Sequence, residues 1–105
     1  MQDPLVQSSL TELWDLVRSV PKGYVSSYGA VGRSLKRPVS GYLVGRWMAQ
    51  CPEGVPWWRI VTKSGTLAIN KRDPHMGLQQ RQLLEREGVT FDGEAVDMAR
   101  HGVEL

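Results

Sequence analysis

The chain has 105 residues, 41% of them hydrophobic, with 13 Lys and Arg against 11 Asp and Glu, 11 Gly, six Pro and one Cys. At this length roughly two-thirds of the unfolded surface is buried in one core, so a single domain over residues 1–105 is expected without a metal or disulfide staple. The lone Cys51 excludes an internal disulfide framework. With no run of about 18 apolar residues and no basic, apolar leader in Met1-Gln2-Asp3-Pro4, the expected compartment is the cytoplasm, with no membrane partner.

The net charge of +2 conceals an asymmetry. Ten Lys/Arg and one acid, Glu53, lie between Leu16 and Arg72, whereas three basic residues face seven acidic ones from Asp73 to Leu105. A basic body with a short acidic C-terminal tail suggests a side that faces a polyanion, although an ordinary solvated face has the same composition.

In chain order, Ser9-Leu10-Thr11-Glu12 reads as a capping box opening a helix whose Leu10, Leu13, Trp14, Val17 and Val20 recur at helical spacing until Pro21. Ser26-Ser27 predicts a cap for a short helix over about Tyr28 to Leu35, weakened by Gly29 and Gly32. Ser40 predicts a cap for a third helix running to about Gln50. Two short helices across the basic Lys36-Arg37-Pro38 turn form a helix-turn-helix pattern. The third helix has an apolar face of Leu43, Val44, Trp47 and Met48, and a second face of Tyr42, Gly45, Arg46 and Ala49. That second face suits either a DNA groove or a neighbouring helix.

Arg59-Ile60-Val61-Thr62 and Thr66-Leu67-Ala68-Ile69 around Lys63-Ser64-Gly65 read as a hairpin. Asp73-Pro74 predicts the start of a helix carrying Leu78, Leu83 and Leu84, and Gly88 its end. Val89-Thr90-Phe91 and Glu94-Ala95-Val96 around Asp92-Gly93 predict a terminal hairpin.

No metal site is expected, since His75 and His101 are far apart and read as surface residues, and no cofactor is expected, since neither Walker nor Rossmann glycine spacing occurs. Cys51 reads as a small structural residue near a helix end. The pair Trp57-Trp58 between Pro56 and Arg59 fits core packing, or an aromatic pocket for a planar base.

Several segments together resemble the C-terminal DNA-binding domain of O6-alkylguanine-DNA alkyltransferases. They are Val20-Pro21-Lys22-Gly23-Tyr24-Val25-Ser26-Ser27-Tyr28-Gly29, Val44-Gly45, Val55-Pro56-Trp57-Trp58-Arg59-Ile60-Val61, Ser64-Gly65-Thr66-Leu67 and Leu83-Leu84-Glu85-Arg86-Glu87-Gly88, in family order over about residues 10–91. The family's active-site motif is Pro-Cys-His-Arg, and the matching positions here read Pro56-Trp57-Trp58-Arg59. The resemblance thus implies that the nucleophile and the histidine that activates it are both replaced, and an indole cannot take an alkyl group by the thiolate route. The chain is similar to alkyltransferase-like proteins, which carry tryptophan in place of the cysteine, bind O6-alkylguanine without repairing it and pass it to nucleotide excision repair. Trp58 departs from the commoner Pro-Trp-His-Arg form.

The fold this resemblance implies is α+β, mostly α: a winged helix-turn-helix-like domain with a short β-hairpin. The expected function is non-enzymatic damage sensing by minor-groove binding and nucleotide flipping. Expected partners are double-stranded DNA containing O6-alkylguanine and nucleotide excision repair proteins, and the chain is expected to be a monomer. By the same resemblance Val55, Pro56, Trp57, Trp58, Arg59 and Arg72 form the lesion pocket, and Tyr28 and Tyr42 drive flipping. Ser27, Ser40, Gly41, Gly45, Arg46, Ala49 and Lys71 meet the DNA. Tyr42 stands where the family has the arginine that fills the space left by the flipped base, and Cys51 where it has a hinge asparagine. Glu87 matches a family glutamate, with a structural role expected here. Three other readings are a winged-helix DNA-binding protein without lesion selectivity, a transferase acting through Cys51, and a protein-interaction scaffold.

Overall fold

The structure, a computed structural model, describes residues 4–68 and 73–105. Helix α1 runs over Pro4–Ser19 and turns Leu10, Leu13 and Val17 inward. Proline is compatible with a first helical turn because its missing N–H would have no intrahelical partner there. The helix therefore begins before the predicted capping box, and Ser9 and Glu12 have other duties. Ser9 is buried and its hydroxyl accepts from the Arg37 guanidinium at 3.3 Å, while the Glu12 carboxylate accepts from the Lys36 N–H at 3.1 and 3.2 Å. Both side chains fasten α1 to the basic turn of the helix-turn-helix.

That motif consists of α2 (Tyr28–Ser34) and α3 (Gly41–Met48). Their caps are those the sequence predicts: the Ser27 hydroxyl accepts from the Ala30 N–H and the Ser40 hydroxyl from the Leu43 N–H, each at 3.1 Å. The glycines that weaken α2 as an isolated helix let it meet α3. A methyl group on Gly32 would fall on the Val39 carbonyl oxygen, and one on Gly41 would lie 2.9 Å from the Gly29 nitrogen.

Strand β1 (Ser26–Ser27) pairs in parallel with β2 (Ile60–Val61), Ser26 opposite Ile60 and Ser27 opposite Val61. A parallel pair needs a long crossover, and α2, α3 and the 3-10 turn Trp57–Arg59 supply it. The pair also divides the interior. Successive strand residues point to opposite faces, so Ile60 joins a core with Leu13, Val17, Val31 and Val44, and Val61 joins a second with Val25, Leu84, Val89 and Val96.

Among the described residues, the predicted hairpin across Lys63-Ser64-Gly65 forms no strand ladder. The turn is there, with Gly65 at φ 89 and the Thr62 N–H on the Thr66 carbonyl at 3.0 Å, but the described residues beyond it, Thr66 to Ala68, form no strand paired with β2. The Gly65 carbonyl instead accepts from the Val96 N–H at 3.0 Å and Leu67 enters the second core. Docking onto the C-terminal hairpin replaces a local ladder.

Helix α4 (Pro74–Arg86) is capped by Asp73, whose carboxylate accepts from the His75 and Met76 N–H groups, and the chain turns at Gly88 with φ 88. The terminal hairpin is present as β3 (Phe91–Asp92) and β4 (Ala95–Val96). The acidic end then folds back as α5 (Met98–His101), and Val103 packs on the first core. His75 is exposed, but His101 corrects the surface reading: it is buried, its Nδ1 2.9 Å from the Gly23 carbonyl and its Nε2 accepting from the Thr90 N–H at 3.1 Å. Those two contacts tie the C-terminus to the turn after α1 and to the hairpin.

Candidate nucleic-acid interface

The outer stripe of α3 is built as its sequence pattern predicts. Val44 is fully buried, Trp47 and Met48 pack on the first core, and Tyr42, Arg46 and Ala49 face outward. Tyr42 is the most exposed large apolar side chain among the described residues, at 74%. One turn on, the Arg46 guanidinium lies 3.4 Å from its hydroxyl. Tyr28 opens α2, half-buried against the first core, with a ring carbon 3.9 Å from where a Gly45 methyl would sit. The helix-turn-helix thus brings Ser27, Tyr28, Ser40, Gly41, Tyr42, Gly45, Arg46 and Ala49 onto two packed elements.

Beside α2 runs a groove of about 480 Å³ whose lining includes Ser27, Ala30, Arg33, Lys63 and the C-terminal residues Val103 and Glu104. Two cations on its wall were not singled out by sequence reasoning. Their signal was present, since both belong to the basic body between Leu16 and Arg72.

The Pro56-Trp57-Trp58-Arg59 segment is a 3-10 turn fixed from three sides. The Glu87 carboxylate accepts from Trp58 Nε1 at 3.1 Å and from Arg59 at 3.0 and 2.6 Å, and Arg59 also donates to the Val20 carbonyl at 2.9 Å. From α4, the buried Gln80 amide donates to the carbonyls of Trp58 and Ile60, each at 3.1 Å. Burial pushes the Glu87 carboxyl up, but the hydrogen bonds from Arg59 and Trp58, the Arg59 charge and the Gly23 N–H outweigh it and hold the group below the usual carboxylate range.

The two tryptophans therefore part company. Trp58 packs on the second core with its N–H committed to Glu87, which agrees with the core-packing reading. Trp57 stands edge-on to it, ring centroids 6.1 Å apart and planes at 84°, and makes no side-chain hydrogen bond among the described residues. Val55 is a core residue and Pro56 is buried, so both support the turn from beneath. Arg59 holds the scaffold through Glu87 and Val20. Lys71 and Arg72 lie outside the described residues.

Gln80 is the support that sequence reasoning missed. Its signal was a polar residue in the buried stripe Gly77, Gln80, Leu84 of α4, at helical spacing. Cys51 sits half-buried after α3, where burial pushes its thiol up and the Arg18 charge only partly opposes this; its Sγ lies 3.6 Å from the Pro52 carbonyl. A neutral, engaged thiol is a poor nucleophile.

A capped helix-turn-helix with an aromatic outer face, next to a braced aromatic turn, defines a small DNA-binding domain, mostly helical with short strands. Residues 9–89 match the model of the DNA-binding domain of 6-O-methylguanine DNA methyltransferase, and the chain belongs to that family. It is 35% identical over 92 residues to the DNA base-flipping protein of Escherichia coli, covering 85% of this chain and 69% of that protein. It is 42% identical over 82 residues to alkyltransferase-like protein 1 of Schizosaccharomyces pombe, covering 75% and 74%. The crystal structure of S. pombe Atl1 in complex with damaged DNA containing O6-carboxymethylguanine matches the whole of both chains with a TM-score of 0.78 at 27% identity. A second structure, of the S. pombe protein with DNA, shares the fold with a TM-score of 0.80 at 23% identity.

Proposed function

We propose that this protein is a non-enzymatic sensor of O6-alkylguanine in duplex DNA, which binds through the minor groove, holds the damaged nucleotide out of the stack and flags it for nucleotide excision repair. The observation that carries this reading is the braced turn at residues 56–59. Among the described residues, every hydrogen bond there that involves a side chain ends on Trp58 or Arg59, so the turn is held firmly while the Trp57 ring makes none and keeps an apolar surface for stacking. An indole offers no thiolate for alkyl transfer, and burial pushes the thiol of Cys51 up, away from the thiolate form, which supports binding without transfer. Base-flipping and damaged-DNA relatives at 35% and 27% identity support the same role.

In this mechanism α3 enters the groove, Tyr28 and Tyr42 assist rotation of the nucleotide, and Arg33 and Lys63 supply positive charge along the adjacent groove. Flipping costs a few kcal/mol and is easiest for a weakly paired base, which favours the alkylated guanine. Recruitment of repair proteins, action as a monomer and a cytoplasmic or nucleoid location belong to the same proposal.

The test is fluorescence anisotropy of a duplex with one O6-methylguanine beside the identical guanine duplex, followed by intact mass measurement of the protein. Tighter lesion binding without mass gain is expected. Equal binding moves the assignment to a winged-helix DNA-binding protein without lesion selectivity, and a methyl-sized gain refutes the missing nucleophile.

A further inference from the structure

An aromatic ring exposed to 74% on a helix that otherwise presents glycine, alanine and arginine is unsatisfied hydrophobic area in the free protein. Gly45 and Ala49 add little bulk beside it, so a duplex can come close enough for the ring to enter the stack. The only polar atom of that side chain, the hydroxyl, is met by Arg46 at 3.4 Å. What Tyr42 offers is a flat π-face. Stacking on such a face is nearly independent of base identity, because every base has one, whereas a guanidinium at the same place would read acceptors on the base edge.

We infer that Tyr42 makes this protein blind to the base opposite the lesion: the ring occupies the space left by the flipped nucleotide and supports the orphaned partner by stacking alone. This rests on the flipping mechanism proposed above. It assigns Tyr42 as a specificity determinant whose effect is to remove a preference. The lesion would then be bound whether it is still paired with its original partner or with a misincorporated one, apart from the difference in the cost of opening each pair.

The opening cost is separated from the ring's contribution by a thermodynamic cycle. Affinities are measured by anisotropy for wild type and Tyr42→Ala on four duplexes with O6-methylguanine opposite C, T, A or G, and on the guanine duplex. The pairing energy cancels in each wild-type to variant ratio. The expected loss in Tyr42→Ala is about tenfold, the order of one aromatic stack, and it is the same within about threefold for all four partners. Tyr42→Phe regains the affinity lost in Tyr42→Ala, whereas Tyr42→Arg makes the ratio depend on the partner. A loss in Tyr42→Ala that varies more than about threefold among partners, or no loss, overturns the inference while leaving lesion sensing intact. A wild type that binds guanine and O6-methylguanine duplexes equally overturns the sensing mechanism and this inference with it. Because the side chain is largely solvent-exposed, these substitutions leave the thermal melt within about 2 °C of wild type, and that melt is recorded for each variant.

Discussion

Replacing Glu87 by glutamine removes the charge that fastens the 56–59 turn while keeping the side chain's shape. The carboxylate accepts from Trp58 Nε1 at 3.1 Å and from Arg59 at 3.0 and 2.6 Å, and the Arg59 and Glu87 side chains keep 15% and 10% exposure. Removing one partner of a fully buried ion pair costs about 3–5 kcal/mol, because the other charge is stranded. Here Arg59 retains the Val20 carbonyl, and glutamine retains one acceptor oxygen, so the expected loss is nearer 2–3 kcal/mol, with hydrogen bonds to charged groups worth about 1.5–3 each. For a chain of this size that is about 10 °C in melting temperature, at about 4 °C per kcal/mol. The sign of the pH dependence follows from the lowered carboxyl. The stabilisation is fully present above the ordinary carboxylate value near about 4.3 and is lost as pH falls through it toward the lower folded value. Thermal melts followed by circular dichroism at pH 7 and at steps down to about pH 2 therefore show wild type and variant converging in acid. A loss under about 1 kcal/mol at neutral pH, or a gap that does not narrow in acid, refutes the reasoning.

Gly32→Ala would place a methyl group on the Val39 carbonyl oxygen and 3.2 Å from a Val44 methyl, forcing α2 and α3 apart; a loss of about 3 kcal/mol is expected in chemical denaturation. A loss below about 1 kcal/mol would mean that the helices yield at that contact. Ser40→Ala removes the acceptor for the Leu43 N–H at the start of α3 and should cost about 1 kcal/mol, with Ser40→Asp restoring it. Failure of the aspartate to restore stability would show that the hydroxyl acts other than as a cap.

The sequence by itself determined the local chemistry of this protein. The caps at Ser27, Ser40 and Asp73, the turns at Gly65 and Gly88 and the two-faced α3 were legible because each depends on partners within about four residues, the range of helical and turn hydrogen bonds. The ordered motifs from Val20 to Gly88 carried the family, because their residue types at near-family spacing hold whatever their distant contacts. Tertiary structure decided whatever depended on partners far apart in the chain. Arg59 meets Glu87 28 residues on, His101 meets Gly23 across 78, and Glu12 reaches Lys36 rather than its own helix start. It also placed β2 in a parallel pair with β1, since the two cores on either side of that pair bury Ile60 and Val61 at once, and among the described residues no hairpin ladder forms beyond the Gly65 turn. The divergence of the two tryptophans belongs to the same class. Adjacent in sequence and identical in type, they differ because a carboxylate 29 residues from Trp58 holds one indole N–H and leaves the other ring to its surface. Pattern encodes which groups are available, and only packing decides which of them meet.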